Sequence, residues 1–96
     1  MNAIEFRESV REQAPPQGFA APLAALWWDA KGDWARAHAM VDELETKEGM
    51  AVHAYLHRKE GDASNAGYWY SRAGRTAASR PLADEWLEIA KALLEA

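Results

Sequence analysis

The 96-residue sequence predicts an all-α protein: five to six short helices, paired as antiparallel hairpins in a single domain. Three observations predict it. Residues Ala25 to Val41 nearly repeat as Ala54 to Tyr70, with Gly32-Asp33 falling on Gly61-Asp62 and Ala37 on Ala66. A doubled unit of this size is the mark of stacked helical hairpins. The two Gly-Asp pairs stand between segments rich in Ala, Glu and Leu, which favour helix. No stretch alternates apolar and polar residues with period two, so a sheet is not expected.

The elements follow in order. Asn2 is placed to cap an N-terminal helix over 1–14, with Glu5 in capping-box position and Ala3, Phe6, Val10 and Ala14 on one face. Pro15-Pro16-Gln17-Gly18 ends it. A first hairpin spans 21–45. Pro22 suits the first turn of a helix to about Lys31, Gly32 takes the left-handed closing conformation, and Asp33 caps a helix from Trp34 to about Glu45. Gly49 lies near the next break. The second hairpin, 50–74, pairs Met50–Glu60 with Ala63–Ala73 through Gly61-Asp62, and Gly74 closes it. Residues 75–80 read as a loop. Pro81 then starts a capping helix over 81–95, with Leu82, Trp86, Ile89 and Leu93 at helical spacing.

Composition narrows the function classes. Hydrophobic residues make up 49% of the chain and five are Trp, which is rich core material for a small domain. Cys is absent, the N-terminus lacks the form of a secretory leader, and no apolar run approaches the ~20 residues of a membrane span. These features lead us to expect a soluble cytoplasmic protein without a membrane partner. The net charge of −4 argues against general nucleic-acid binding. The charge is uneven, however. Between His57 and Arg80, five cations (Arg58, Lys59, Arg72, Arg75 and Arg80) stand against only Glu60 and Asp62, which fits either charges decorating solvated faces or a local anion-binding patch.

The residues around the second Gly-Asp corner resemble a tetratricopeptide repeat. That family places a small residue four positions after the turn residue, an aromatic four later and a small residue three beyond; Asp62, Ala66, Tyr70 and Ala73 meet this, and Asp33, Ala37, Val41 and Leu44 meet it loosely. Ala54 and Ala25 supply the small residue seven before each Gly. The likeness covers about half the chain, and its 29-residue shift is shorter than the family's ~34. The string from Val52 to Arg75 also resembles that of small microbial proteins of unassigned activity. The resemblance implies a protein- or peptide-binding role, with Asp29, Tyr55, Arg58 and Lys59 near a concave groove. A Tyr flanked by two cations suits a peptide carboxylate or acidic motif.

Two other constellations carry candidate chemistry. His53 and His57 lie four apart on one helix and point to one face, half of a zinc site, with Glu60 within reach as a third, weak candidate ligand. The pattern lacks the metalloprotease general base, since Ala54 stands there. His38 is on another helix. The repeat puts both histidines at packing positions, where a buried polar ring needs a partner. A polar pocket of Trp28, His53, His57, Trp69 and Arg72, with Asn65 on the same face as the last two, follows from that. Ser9, Ser64, Ser71 and Ser79 are not in nucleophile contexts, and no glycine loop has phosphate-binding spacing. No cofactor and no catalytic residue are expected. Trp27, Trp28, Trp34, Tyr55, Tyr68, Trp69 and Tyr70 cannot all face one core, so exposed Trp faces could also pair two copies as a homodimer. The leading expectation is a small non-catalytic interaction module. The alternative is a ligand- or anion-binding protein, or minor enzyme, with a His/Trp/Arg pocket.

Overall fold

The structure, a computed structural model, describes residues 1–95 and is helical throughout, with no strand among the described residues. The helices are α1 (Ala3–Glu8), α2 (Ala21–Ala30), α3 (Trp34–Val41), α4 (Lys47–Glu60), α5 (Ala63–Arg72) and α6 (Leu82–Glu95). A 3-10 turn, Ser9–Arg11, extends α1.

The chain reverses at three corners of one design. Gly32, Gly61 and Gly74 all take positive φ, at 95°, 92° and 72°. At the first, the Gly32 N–H donates to Asp29 O (3.0 Å) and the Asp33 N–H to Trp28 O (2.9 Å); at the second, Gly61 donates to Arg58 O (3.1 Å) and Asp62 to His57 O (2.9 Å). This is the Schellman pattern, which satisfies the last carbonyls of a helix. Asp33 and Asp62 then cap the next helix, accepting from Arg36 N (3.1 Å) and Asn65 N (3.0 Å). The sequence repeat is therefore a repeat of corners, and α2 packs on α3 as α4 packs on α5.

The segment between the hairpins differs from expectation. The third helix stops at Val41, and the fourth begins at Lys47 rather than Met50. Thr46 is the cause: its Oγ1 accepts from Gly49 N (3.1 Å), so Gly49 sits inside the first turn instead of breaking it. A Cβ on Gly49 would lie 2.7 Å from Leu44 Cβ, which ties the helix start to the preceding turn. The N-terminal helix is shorter than the expected 1–14. Its Asn2–Glu5 capping box forms, but Ser9 folds back to bond Phe6 O (2.5 Å) and helical structure ends at Arg11.

The terminal helices close the core. α6 packs on α1, α2 and α4. Trp86 stacks on Phe6 (5.4 Å between ring centres, 17° between planes), and its Nε1–H donates to Leu26 O (3.0 Å). Phe19 meets Phe6 edge-on at 5.5 Å. Phe6, Leu26, Trp27, Val41, Val52 and Leu56 are fully buried around them. Trp27 and Trp86 are buried, Trp28, Trp34 and Trp69 are half-buried, and Tyr68 is exposed.

Candidate functional site

The fold positions two sites on opposite faces of α4. His53 and His57 point one way; Tyr55 and Lys59, each two residues on and so about 200° around the helix, point the other.

On the first face, α3 and α5 bring partners to the histidines. His38 Nε2 lies 3.1 Å from His53 Nε2. The ring centres of His38, His53 and His57 are 4.8 Å (38 to 53), 4.8 Å (53 to 57) and 5.1 Å (38 to 57) apart, a nearly equilateral triangle. Each ring is held from outside by a different group. Trp34, one turn before His38, stacks on it at 4.9 Å and 8°; Trp69 of α5 stacks on His53 at 4.0 Å and 19°; and the Glu60 carboxylate meets His57 Nδ1 at 2.5 Å. Trp34 is itself fixed by its Nε1–H to Leu56 O (2.9 Å). A proton on His57 Nδ1, shared with Glu60, leaves Nε2 as the lone-pair nitrogen.

His53 and His57 are only 3% and 6% exposed. Burial, with His38 and His57 as neighbours, lowers the His53 pKa to about 4, against a smaller opposing pull from Asp42. His53 Nδ1 has no hydrogen-bond partner. Between about pH 6.5 and 4 the unfolded chain binds a proton at residue 53 that the folded chain refuses. The contribution to stability is thus complete above pH 6.5 and lost as pH falls toward 4, by on the order of 2–3 kcal/mol. Urea denaturation of metal-free protein at pH 7.0 and 4.5 measures it. The His53→Leu variant should show a flatter profile; identical profiles would contradict the assignment.

Three residues expected in this pocket stand elsewhere. Trp28 occupies the repeat position of His57, but one hairpin away. It meets Trp27 edge-on (4.9 Å) and carries Arg36 over its face (4.1 Å); Trp34 fills the role expected of it. Arg72 lies over Trp69 (5.0 Å) and Tyr68 (5.8 Å), on those rings rather than on the imidazoles. Asn65 gives its backbone N–H to the Asp62 cap, and no side-chain hydrogen bond joins it to the histidines. Glu60 serves as the orienting carboxylate of His57. His38 is the residue that sequence reasoning passed over. It lies within two turns of the same α3–α4 connection as His53, and the packing of those two helices brings the rings together.

On the opposite face is a cleft of about 490 Å³ lined by Arg7, Arg11, Asp29, Tyr55, Lys59 and Trp86, with Val10, Ala30, Leu82 and Ala83. Three of the four expected groove residues line it. Asp29 is 2% exposed and pairs with Lys59 Nζ (3.0 Å), while its Oδ2 has no hydrogen-bond partner. Burial, and next the Asp29 carboxylate, push the Tyr55 phenol well above its ordinary pKa. Lys31 bonds Val10 O (2.8 Å) and Glu12 O (2.6 Å), pinning the segment that carries Arg11 to α2.

Arg58, the fourth expected groove residue, turns away. Its Nη1 pairs with buried Glu85 Oε1 (2.7 Å) and its Nη2 bonds Arg80 O. Glu85 Oε2 accepts from the Tyr70 hydroxyl (2.6 Å), and burial, then that bond, raise the Tyr70 pKa. The members of this pairing are far apart along the chain, so local spacing does not reveal it. Among protein-family models, curated proteins and solved structures, none matches the chain.

Proposed function

We propose that the protein is a small non-catalytic binding module that takes an acidic peptide segment in the cleft between α1, α2, α4 and α6. The observation that carries this reading is the charge of the cleft. Arg7 and Arg11 have no carboxylate in ion-pair reach among the described residues, and the single acid of the lining, Asp29, is already matched by Lys59. A chain with net charge −4 therefore presents a cationic recess. Two guanidiniums offer paired donors to a carboxylate. Trp86, Leu82 and Val10 give the recess an apolar wall. Hairpins with Gly-Asp corners, like those of tetratricopeptide proteins, support a scaffold role, and a Cys-free chain suits a reducing cytoplasmic setting.

Fluorescence anisotropy with short labelled peptides tests it. Peptides bearing a free C-terminal carboxylate and an acidic side chain are expected to bind. Amidated neutral ones are expected to bind at least tenfold more weakly. Arg7→Glu with Arg11→Glu, both exposed positions, should abolish the difference. Equal binding of all peptides to parent and variant would refute the reading.

A further inference from the structure

The three-imidazole cluster lies on the other side of α4 from the cleft and has its own chemistry. We propose that His38, His53 and His57 form a binding site for a divalent first-row transition ion, zinc above all, with the fourth coordination position open. A tetrahedral ion held at about 2.0–2.1 Å by three imidazoles sets their nitrogens about 3.3 Å apart and their ring centres about 5 Å apart. The observed nitrogen separation between His38 and His53 is 3.1 Å, and the ring centres stand 4.8 to 5.1 Å apart. One nitrogen from each ring lies within 4.8 Å of the other two.

The arrangement differs from a plain hydrogen bond between two histidines. A straight N–H···N bond of that length would hold the ring centres about 5.4 Å apart. The rings of His38 and His53 are closer, at 4.8 Å, with planes at 79°, so they meet at a bend and not in line. His57, one helical turn beyond His53, brings a nitrogen within 4.8 Å of one on each of the other two rings. A pair of hydrogen-bonded histidines would not require the third ring.

The surroundings are those of a preorganised donor set. Trp34 and Trp69 stack on His38 and His53, which fixes two ring planes before any ion arrives. Glu60 on His57 Nδ1 is the carboxylate–histidine arrangement that orients a ligating imidazole and raises its basicity. The donor set is nitrogen only. Hard ions such as magnesium and calcium prefer oxygen, and thiolate-seeking ions find no sulfur, so zinc, cobalt, nickel and copper remain. Three imidazole donors set as a triangle suit the tetrahedral ions, zinc and cobalt, better than square-planar copper.

The test is a cobalt(II) titration of the untagged, chelator-treated full chain, read by visible absorption. We expect one equivalent of cobalt to give the intense bands of tetrahedral coordination, which one equivalent of zinc bleaches. His38→Gln, at a half-buried position, should weaken binding at least 100-fold while circular dichroism stays that of the parent. Glu60→Gln should weaken it about 10–100-fold by disorienting His57. A weak octahedral spectrum with the parent, or equal cobalt affinity in parent and a folded His38→Gln, would overturn the site. Should His38→Gln fail to fold, Glu60→Gln decides: unchanged affinity there overturns it as well.

Discussion

Arg58→Met is expected to cost about 3–5 kcal/mol, because it strands a buried carboxylate. Glu85 is 1% exposed and holds two partners, Arg58 Nη1 at 2.7 Å and the Tyr70 hydroxyl at 2.6 Å. The hydroxyl alone cannot balance the charge. Methionine keeps the aliphatic stem, so the loss reports charge and hydrogen bonding rather than volume. A domain of this size has on the order of 5–14 kcal/mol to lose. The shift in Tm should therefore be about 15–30 °C. The double variant Arg58→Met with Glu85→Leu should recover most of it, since removing both partners leaves the Tyr70 hydroxyl without its acceptor and the exposed Arg80 carbonyl to water. Thermal denaturation followed by circular dichroism reads all three proteins. A loss below about 1 kcal/mol for Arg58→Met would mean that Glu85 is hydrated, at odds with its burial.

Trp86→Ala should be equally severe, at about 3–5 kcal/mol, through a different mechanism. The indole bridges the terminal helices to the hairpins: it stacks on Phe6 of α1 and donates to Leu26 O of α2. Truncation removes the ring contacts of Phe6, opens a void beneath the cleft and leaves the Leu26 carbonyl without this donor. Trp86→Phe separates the terms. It keeps a ring against Phe6 and gives up the N–H, so it should cost only about 1–2 kcal/mol. Urea denaturation measures both. Equal losses for Phe and Ala would show that the hydrogen bond, not the ring, carries the contact.

These two cases also mark how far the sequence could be read. The corners were legible residue by residue. Gly32, Gly61 and Gly74 need positive φ, and Asp33 and Asp62 cap the following helix, so both hairpins could be placed before any coordinates. The start of α4 was not, because Gly49 reads as a breaker until Thr46 is seen to cap the turn that contains it. Site residues separate along the same line. His53 and His57 were found through local spacing, and Glu60 through its distance from His57. His38 and Arg58 depend on contacts between helices, and local spacing is silent on those. Trp28 shows the opposite error: a repeat gives equivalent positions in two hairpins, and equivalent positions need not touch.

His38, His53 and His57 meet ring to ring between α3, α4 and α5. Nuclear Overhauser contacts among the imidazole ring protons of the metal-free protein test it most directly. With ring centres 4.8 to 5.1 Å apart, all three pairs should give cross-peaks, and Trp69 should show them to His53. Contacts between His53 and His57 alone, with none to His38, would report only two neighbours on one helix and would contradict the convergence on which the metal site depends.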